Sequence, residues 1–300
     1  MFPERPVTII VPFGPDGASD RVARAVGTRL GERWGVDVRF DNRPGDGAVP
    51  GTAAGARAAP DGHTLVFGSS STHSIAPALR RLPYDPVADF APLTLLGWAP
   101  NLMLARPGLA QSVPEVVALA RRSPGALRYA SAGTGQTIHL CGALFAARAG
   151  IELTHVPFDS GSMDGLNALM AGAVDLMFDN VLAALPYVRA RRVAALAVAG
   201  SLRFGDLPDV PTLEEAGVPG CAADIWLGLF APAATPAPLL QALRSDLAVV
   251  LGHTDLIADL RARGLMLDVQ QGEDFAAEIA ANALAWREIV AACGLTAAPA

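Results

Sequence analysis

"VPFGPDGASDRVARAVGTRLGERWG", Val11 to Gly35, decides how the chain is read. The apolar run Val7 to Val11 predicts a buried strand, and apolar spacing over Ser19 to Arg33 predicts a helix with Ser19 as its cap. Between them Gly14, Pro15, Asp16, Gly17 and Ala18 form a loop of small residues running directly from strand end to helix start. Val36 to Phe40 predicts a second strand, the Gly- and Pro-rich stretch Asn42 to Thr52 a second loop, and Thr64 to Phe67 a third strand. This repetition of strand, loop and helix predicts a parallel sheet with helices on its faces.

The pattern restarts near residue 100. Strands are expected at Asn101 to Ala105, Leu127 to Ala130, Thr154 to Pro157, Val174 to Phe178 and Val193 to Val198. Ser112 and Glu115 form a capping box for one intervening helix, and Thr137 to Ala149 predicts another. After a turn-rich stretch, Trp226 to Ala231 predicts a strand, and helices follow at Pro236 to Leu251, Asp255 to Arg263 and Glu273 to Ala292. Two α/β halves therefore alternate along the chain. Extended segments at 101–106 and 226–232 are the expected crossings between a first lobe of residues 1–100 with 229–300 and a second of 101–228, with a hinge between them.

Composition narrows the function classes. The formal charge of -6 argues against a broad nucleic-acid surface, which needs clustered basic residues. Hydrophobic residues make up 51%, yet no apolar run reaches the ~20 residues of a membrane span. Cys141, Cys221 and Cys293 are too few and too widely spaced for a zinc site, and at most one disulfide is possible. No metal or other cofactor is expected. The start Met1-Phe2-Pro3-Glu4 has neither a basic n-region nor an apolar h-region, which fits a cytoplasmic protein or one whose leader has been removed.

Four strand-to-helix junctions are small and polar: "GPDGAS" (14–19), "GSSSTHS" (68–74), "SAGTGQT" (131–137) and "DN" (179–180). In an α/β sheet such loops converge on the edge where strands end and helices present free N–H groups. The first two belong to one lobe and the last two to the other, so one small ligand between them would meet donors from both sides. Glycine allows close backbone approach, Ser and Thr add hydroxyls, and the helix dipole favours an anion, so a carboxylate can be held without Arg or Lys. The plainer alternative is that each loop only caps its helix.

Catalytic signatures are weak. "SAGTGQ" lacks the third glycine of a dinucleotide fingerprint, and neither a nucleophile elbow nor a P-loop occurs. The five histidines are scattered, and a Ser71–His73–Asp179 triad would lack the strained nucleophile turn. No catalytic residue is expected, and a hydrolase using the same polar loops is the alternative class. Trp34, Trp98 and Trp286 are expected in packing, while Trp226 at a crossing fits either packing or the cleft wall.

Ordered segments along nearly the whole chain carry a resemblance. They include "RPVTIIVPF" followed by "GASD", then "DNRPGDG", "AAPDGHTLVFGSSSTHSIAPAL", "YASAGTGQTIHLCGALF", "THVPF", "AGAVDLMFDN" and "LPDVPTLEEAG". In these the chain resembles the Bug-type (TctC) solute-binding proteins of tripartite tricarboxylate transporters. The resemblance implies a two-lobe, type II periplasmic-binding fold without catalysis, taking a small organic acid or amino-acid-like ligand in its cleft and passing it to membrane permease subunits. It implies a periplasmic location and no nucleic-acid partner. Carried over by position, Pro15, Asp16, Gly17, Ala18, Ser19 and Asp20, with the Asn42 to Gly51 loop, form the first lobe's ligand contacts, joined by Ser70, Thr72 and His73. Ser131, Gly133, Thr134, Thr137, Phe158 and Asp179 face them from the second.

The chain departs from the family pattern at Asp16, at Asp46, Ala48, Val49 and Pro50, and at Asp159 after "VPF", where a basic residue is common. Asp16 admits three readings: a solvent-facing turn residue, a partner for a ligand amine, or a sign that carboxylate binding has been lost.

Overall fold

The computed structural model describes residues 2–294. In chain order the first α/β series is β1 (Val7–Val11), α1 (Ala18–Trp34), β2 (Val38–Asn42), α2 (Val49–Ala56) and β3 (Thr64–Ser69). A π-helical turn at Ser71–Ile75 then runs into α3 (Ala76–Leu79) and β4 (Phe90–Ala99). The second series comprises β5 (Asn101–Ala105), α4 (Val113–Arg122), β6 (Arg128–Ser131), α5 (Thr137–Ala149), β7 (Thr154–Pro157), α6 (Ser162–Met170), β8 (Leu176–Asn180), α7 (Val181–Arg189) and β9 (Ala194–Ala199). β10 (Ile225–Pro232), α8 (Ala237–Leu251), α9 (Thr254–Arg263), β11 (Met266–Gln271) and α10 (Gly272–Ala292) follow.

Two lobes result, each built on one sheet. The first sheet has the order β11-β4-β10-β3-β1-β2 and the second β7-β6-β8-β5-β9. Both are mixed, which corrects the expectation of parallel sheets. Pairing is parallel around β1 and β6, where crossover helices connect neighbours, but β10 lies antiparallel between β3 and β4, and β5 antiparallel between β8 and β9. The reason is topological. A strand that enters a sheet from the other lobe arrives without a crossover helix, so nothing forces it parallel. The chain passes from β4 to β5 through Pro100 alone, whose carbonyl accepts the Val181 N–H at 3.0 Å. It returns between β9 and β10, where the Ala223 N–H bonds the Ala199 carbonyl at 3.1 Å.

One buried apolar cluster runs from Val7, Ile9 and Val26 of the first lobe to Leu102, Met177 and Leu182 of the second, so the lobes share packing behind the cleft. Trp226 is fully buried among Phe230, Phe275 and Leu95, and its indole N–H donates to Asn282 at 3.0 Å. It therefore packs and does not line the cleft. α10 links the lobes: Phe275 packs under the first sheet, whereas Trp286 and Val290 join Leu140, Leu144 and Phe178 of the second.

The candidate ligand cleft

β1, β3, β6 and β8 all end at the boundary between the lobes, and the residues just beyond them enclose a cavity of about 60 Å3. At ~10–15 Å3 per water, that is room for several waters or a small organic ion. From the first lobe come Phe13, Gly14, Gly17, Ala18 and Ser19 after β1, Pro44 after β2, and Ser69 and Ser71 after β3. The second supplies Ala132, Gln136, Thr137 and Ile138 around the start of α5, Asp159, Gly161 and Ser162 before α6, and Asp179 and Asn180 after β8. Ile225, at the entry to β10, completes the wall.

The helix starting at this loop is capped by Gly17 rather than Ser19, and no side chain caps it. Ser19 falls instead in the first turn, where its N–H joins those of Ala18 and Asp20 at the positive end of the α1 dipole. α5 begins likewise, with Gln136 at the cap position and no side-chain cap. Thus two helices from opposite lobes aim their N-termini at one cavity. Both termini are suited to an anion, since first-turn N–H groups have no partner in their own helix.

The β1 loop is held from behind. Asp20 is 1% exposed and accepts bonds from the Asp16 N–H at 2.9 Å, Arg24 Nε at 2.8 Å and Asn42 Nδ2 at 2.9 Å. Burial raises its carboxyl, but those bonds outweigh it and hold the group below its ordinary value. Asn42 Nδ2 also reaches the Phe13 carbonyl at 3.1 Å. Asp20 therefore positions the loop without lining the cavity; Arg24, not singled out in the sequence, and Asn42, expected at the start of the Asn42 to Gly51 contact loop, do the same.

Asp16 is exposed, lies outside the cavity lining, and takes φ 61. Its backbone supplies its contacts, the N–H to Asp20 and the carbonyl to Arg21 Nε at 2.8 Å. This is the solvent-facing turn residue among the three readings. Asp16→Gly should leave ligand affinity unchanged within about two-fold, the range of surface substitutions remote from special features. A calorimetric titration of both proteins with the same carboxylate checks it; a larger change would place the side chain at the ligand.

Other expected site residues divide by location. Gly17, Ala18, Ser19, Thr137 and Asp179 line the cavity; Pro15 is exposed at the loop tip. Ser70 is buried, and its Oγ accepts the Trp226 N–H at 3.0 Å, tying β10 to the end of β3. Thr72 Oγ1 accepts the Ser69 N–H at 3.0 Å, and it also meets His73 Nδ1 at 2.8 Å. The His73 ring stacks on Phe230 at 4.1 Å, and burial pushes its pKa down to about 3, so it stays neutral inside the first lobe. Ser131 Oγ accepts the Gly133 N–H at 3.2 Å and lies 2.6 Å from His155 Nε2, which shapes the β6–α5 loop. Phe158 packs against the core. Thr134 lines a neighbouring interlobe depression with Asp46, Arg80 and His139. Arg80 there holds Asp46 by its carboxylate and its carbonyl, across a loop in which Asp46 and Ala48 both have positive φ.

The lobes are closed on each other. A Cβ on Gly14 would lie 2.4 Å from the Ser160 carbonyl oxygen of the opposite lobe, and the Thr137 N–H reaches Ser71 Oγ across the cleft at 3.4 Å. Phe13, Gly14, Gln136, Gly161 and Ser162 were not singled out from the sequence as ligand contacts. The available signal was glycine at 14, which the close approach of the Ser160 carbonyl requires, and at 161, which takes φ 133.

Asp179 is the one lining carboxylate with no solvent exposure. Its Oδ1 accepts the Asn180 N–H at 2.8 Å, and its Oδ2 has no partner among the described residues. Burial pushes its pKa up to about 7, against smaller opposing effects of the Asn180 N–H and of Arg21.

Two α/β lobes joined by crossings, with an anion-suited cavity at their strand ends, define the periplasmic-binding-protein class. A family model described as tripartite tricarboxylate transporter family receptor matches residues 22–295, and the chain belongs to that family. A UPF0065 protein from the tcbD-tcbE intergenic region of Pseudomonas sp. strain P51 is 38% identical over 266 residues, covering 88% of this chain and 79% of that one. Two solved structures from Rhodopseudomonas palustris superpose over almost the full length. One, with adipate, has a TM-score of 0.93 at 32% identity and covers 99% of this chain and 100% of its own. The other, MatC with bound malate, has a TM-score of 0.90 at 34% identity and covers 96% and 100%.

Proposed function

We propose that this chain is a periplasmic receptor that closes its two lobes on a small carboxylate and delivers it to the membrane permease subunits of a tripartite transporter. The observation that carries the reading is the cavity between the N-termini of α1 and α5, one from each lobe, neither capped by the side chain of its own N-cap residue. A carboxylate there accepts from backbone N–H groups on both sides, at roughly 1.5–3 kcal/mol for each hydrogen bond to a charged group. Binding therefore favours the closed form, in which both sets of donors are present. Gly17, Ala18 and Ser19 contact the ligand from a first lobe of residues 1–100 and 229–300, and Thr137 and Asp179 from a second of residues 101–228. Family membership supports this, as do the adipate and malate bound by structures of closely similar fold. No helix among the described residues is long and apolar enough to cross a membrane, so a separate permease would carry the ligand across.

The protein acts as a receptor and not an enzyme. His73, the partner a Ser71 nucleophile would need, faces Thr72 and the aromatic core of the first lobe. A thermal-shift screen against mono-, di- and tricarboxylates tests the reading. A true ligand at ~100 times its Kd should add about 2.7 kcal/mol of stability and be recovered unchanged. Stabilisation by cations or neutral compounds alone, or turnover of the stabilising compound, would contradict it.

A further inference from the structure

We propose that Asp179 selects the ligand by binding an ammonium group, so that the cleft takes an amino acid in preference to the matching plain carboxylic acid. The proposal rests on the receptor reading above and names the ligand class of that same cavity.

The side chain ends β8 with no solvent exposure, lines the cavity, and leaves Oδ2 without a hydrogen-bond partner among the described residues. A buried carboxylate oxygen in that state is costly to keep and is ordinarily paired. Among the described residues no Arg, Lys or His lines the cavity, and its second carboxylate, Asp159, has the same sign. In its ionised form Asp179 is satisfied best by a donor on the occupant, and a cationic donor also offsets its charge. The cavity offers two opposite electrostatic ends: first-turn N–H groups of α1 and α5 for an anion, and Asp179 with Asp159 for a cation. A zwitterion satisfies both. A plain dicarboxylate that reached both ends would set its second carboxylate against Asp159 and against Asp179 whenever Asp179 is ionised. A hydroxyl would satisfy Oδ2 but leave its charge uncompensated. Burial holds the free carboxyl near the middle of the pH range, and an ammonium in contact favours its ionised form.

Matched pairs that differ only in the amino group isolate this interaction: succinate and L-aspartate, glutarate and L-glutamate, propionate and L-alanine. L-malate serves as the hydroxyl arm. In calorimetric titrations of the purified chain, the amino member of the tightest-binding pair should bind at least about ten-fold more strongly than the plain acid, the effect of one charge-assisted hydrogen bond. Asp179→Asn, which keeps the size and the bond to the Asn180 N–H, should reduce that preference to less than about three-fold. The wild-type comparison stands alone if the variant misfolds. Equal or tighter binding of the plain acid, or of L-malate over L-aspartate, overturns the proposal and leaves the receptor reading in place. Failure of every pair to bind overturns the proposal. If the wider carboxylate panel also fails, the receptor reading falls with it.

Discussion

Gly14→Ala should weaken ligand binding by about 10- to 100-fold while leaving the ligand-free protein folded and nearly as stable. The new Cβ would lie 2.4 Å from the Ser160 carbonyl oxygen, and its next contact is Gly161 Cα at 3.4 Å. Both are backbone atoms of the opposite lobe, so no side chain can swing aside. Overpacking of this kind costs roughly 1–3 kcal/mol, and here the cost falls on the closed form alone. An apparent affinity scales with the fraction of molecules able to close, which turns that penalty into the stated loss. Gly14 does not occupy the left-handed region, so alanine brings no backbone strain of its own. Gly205→Ala is the control: Gly205 is exposed, lies outside the cavity lining, and a Cβ there meets open space. Titration of the two variants with one carboxylate gives the comparison, and small-angle scattering should show the alanine-14 protein staying expanded at ligand concentrations that compact the wild type. Affinity within about three-fold of wild type would mean that closure at this contact is not required.

The second large effect concerns pH. Burial raises the Asp179 carboxyl from 3.8 to about 7, so between those values the native state holds a proton that the unfolded chain has lost. By linkage, its contribution to stability is full below about pH 4, declines as pH rises toward 7, and is flat above. The span is on the order of 4 kcal/mol at most, at 1.36 kcal/mol per pKa unit, before relaxation reduces it. Other groups titrate across the same range, so the readout is the stability gap between wild type and Asp179→Asn, measured ligand-free by urea unfolding at pH 4 to 8. The gap should move in favour of the asparagine variant as pH rises. A pH-independent gap would show that Asp179 is not held as a buried, unpaired acid. The orphaned oxygen thus destabilises the free protein near neutral pH, a cost that a donor on the ligand removes.

Much of the architecture was legible because its periodic signals are local. β5, α5 and β7 lie within their expected bounds, and the Ser112–Glu115 capping box forms as read, with the Glu115 N–H reaching Ser112 Oγ at 3.4 Å. β4 and β11 escaped. β4 carries Pro92 and Gly97, both strand-weakening in isolation, and Gly97 takes φ 150 where a Cβ would strike the Met266 carbonyl of the neighbouring strand. β11 is a short edge strand of largely exposed residues, with no apolar face for periodicity to reveal. α7 showed only its end, in the basic run at Arg189, Arg191 and Arg192, because Pro186 lies within it. The antiparallel β5 and β10 could not be inferred from strand–helix alternation, because their direction follows from crossing between lobes.

The cleft was legible at the level of loops but less so by residue. Gly17 to Ser19, Thr137 and Asp179 stand at the cavity, whereas Asp20, Ser70, Thr72 and Ser131 turn away to brace the loops that form it. Small polar residues at a strand end do either job, and only the backbone path decides which. The unpaired state of Asp179 is a tertiary property with no sequence signature.

The most direct measurement is a crystal structure of the purified chain saturated with the carboxylate that stabilises it best. The account predicts ligand density in the cavity between α1 and α5, with carboxylate oxygens within hydrogen-bond distance of first-turn N–H groups from both helices. A ligand seated elsewhere, or held by one lobe alone while the cleft stands open, would contradict it.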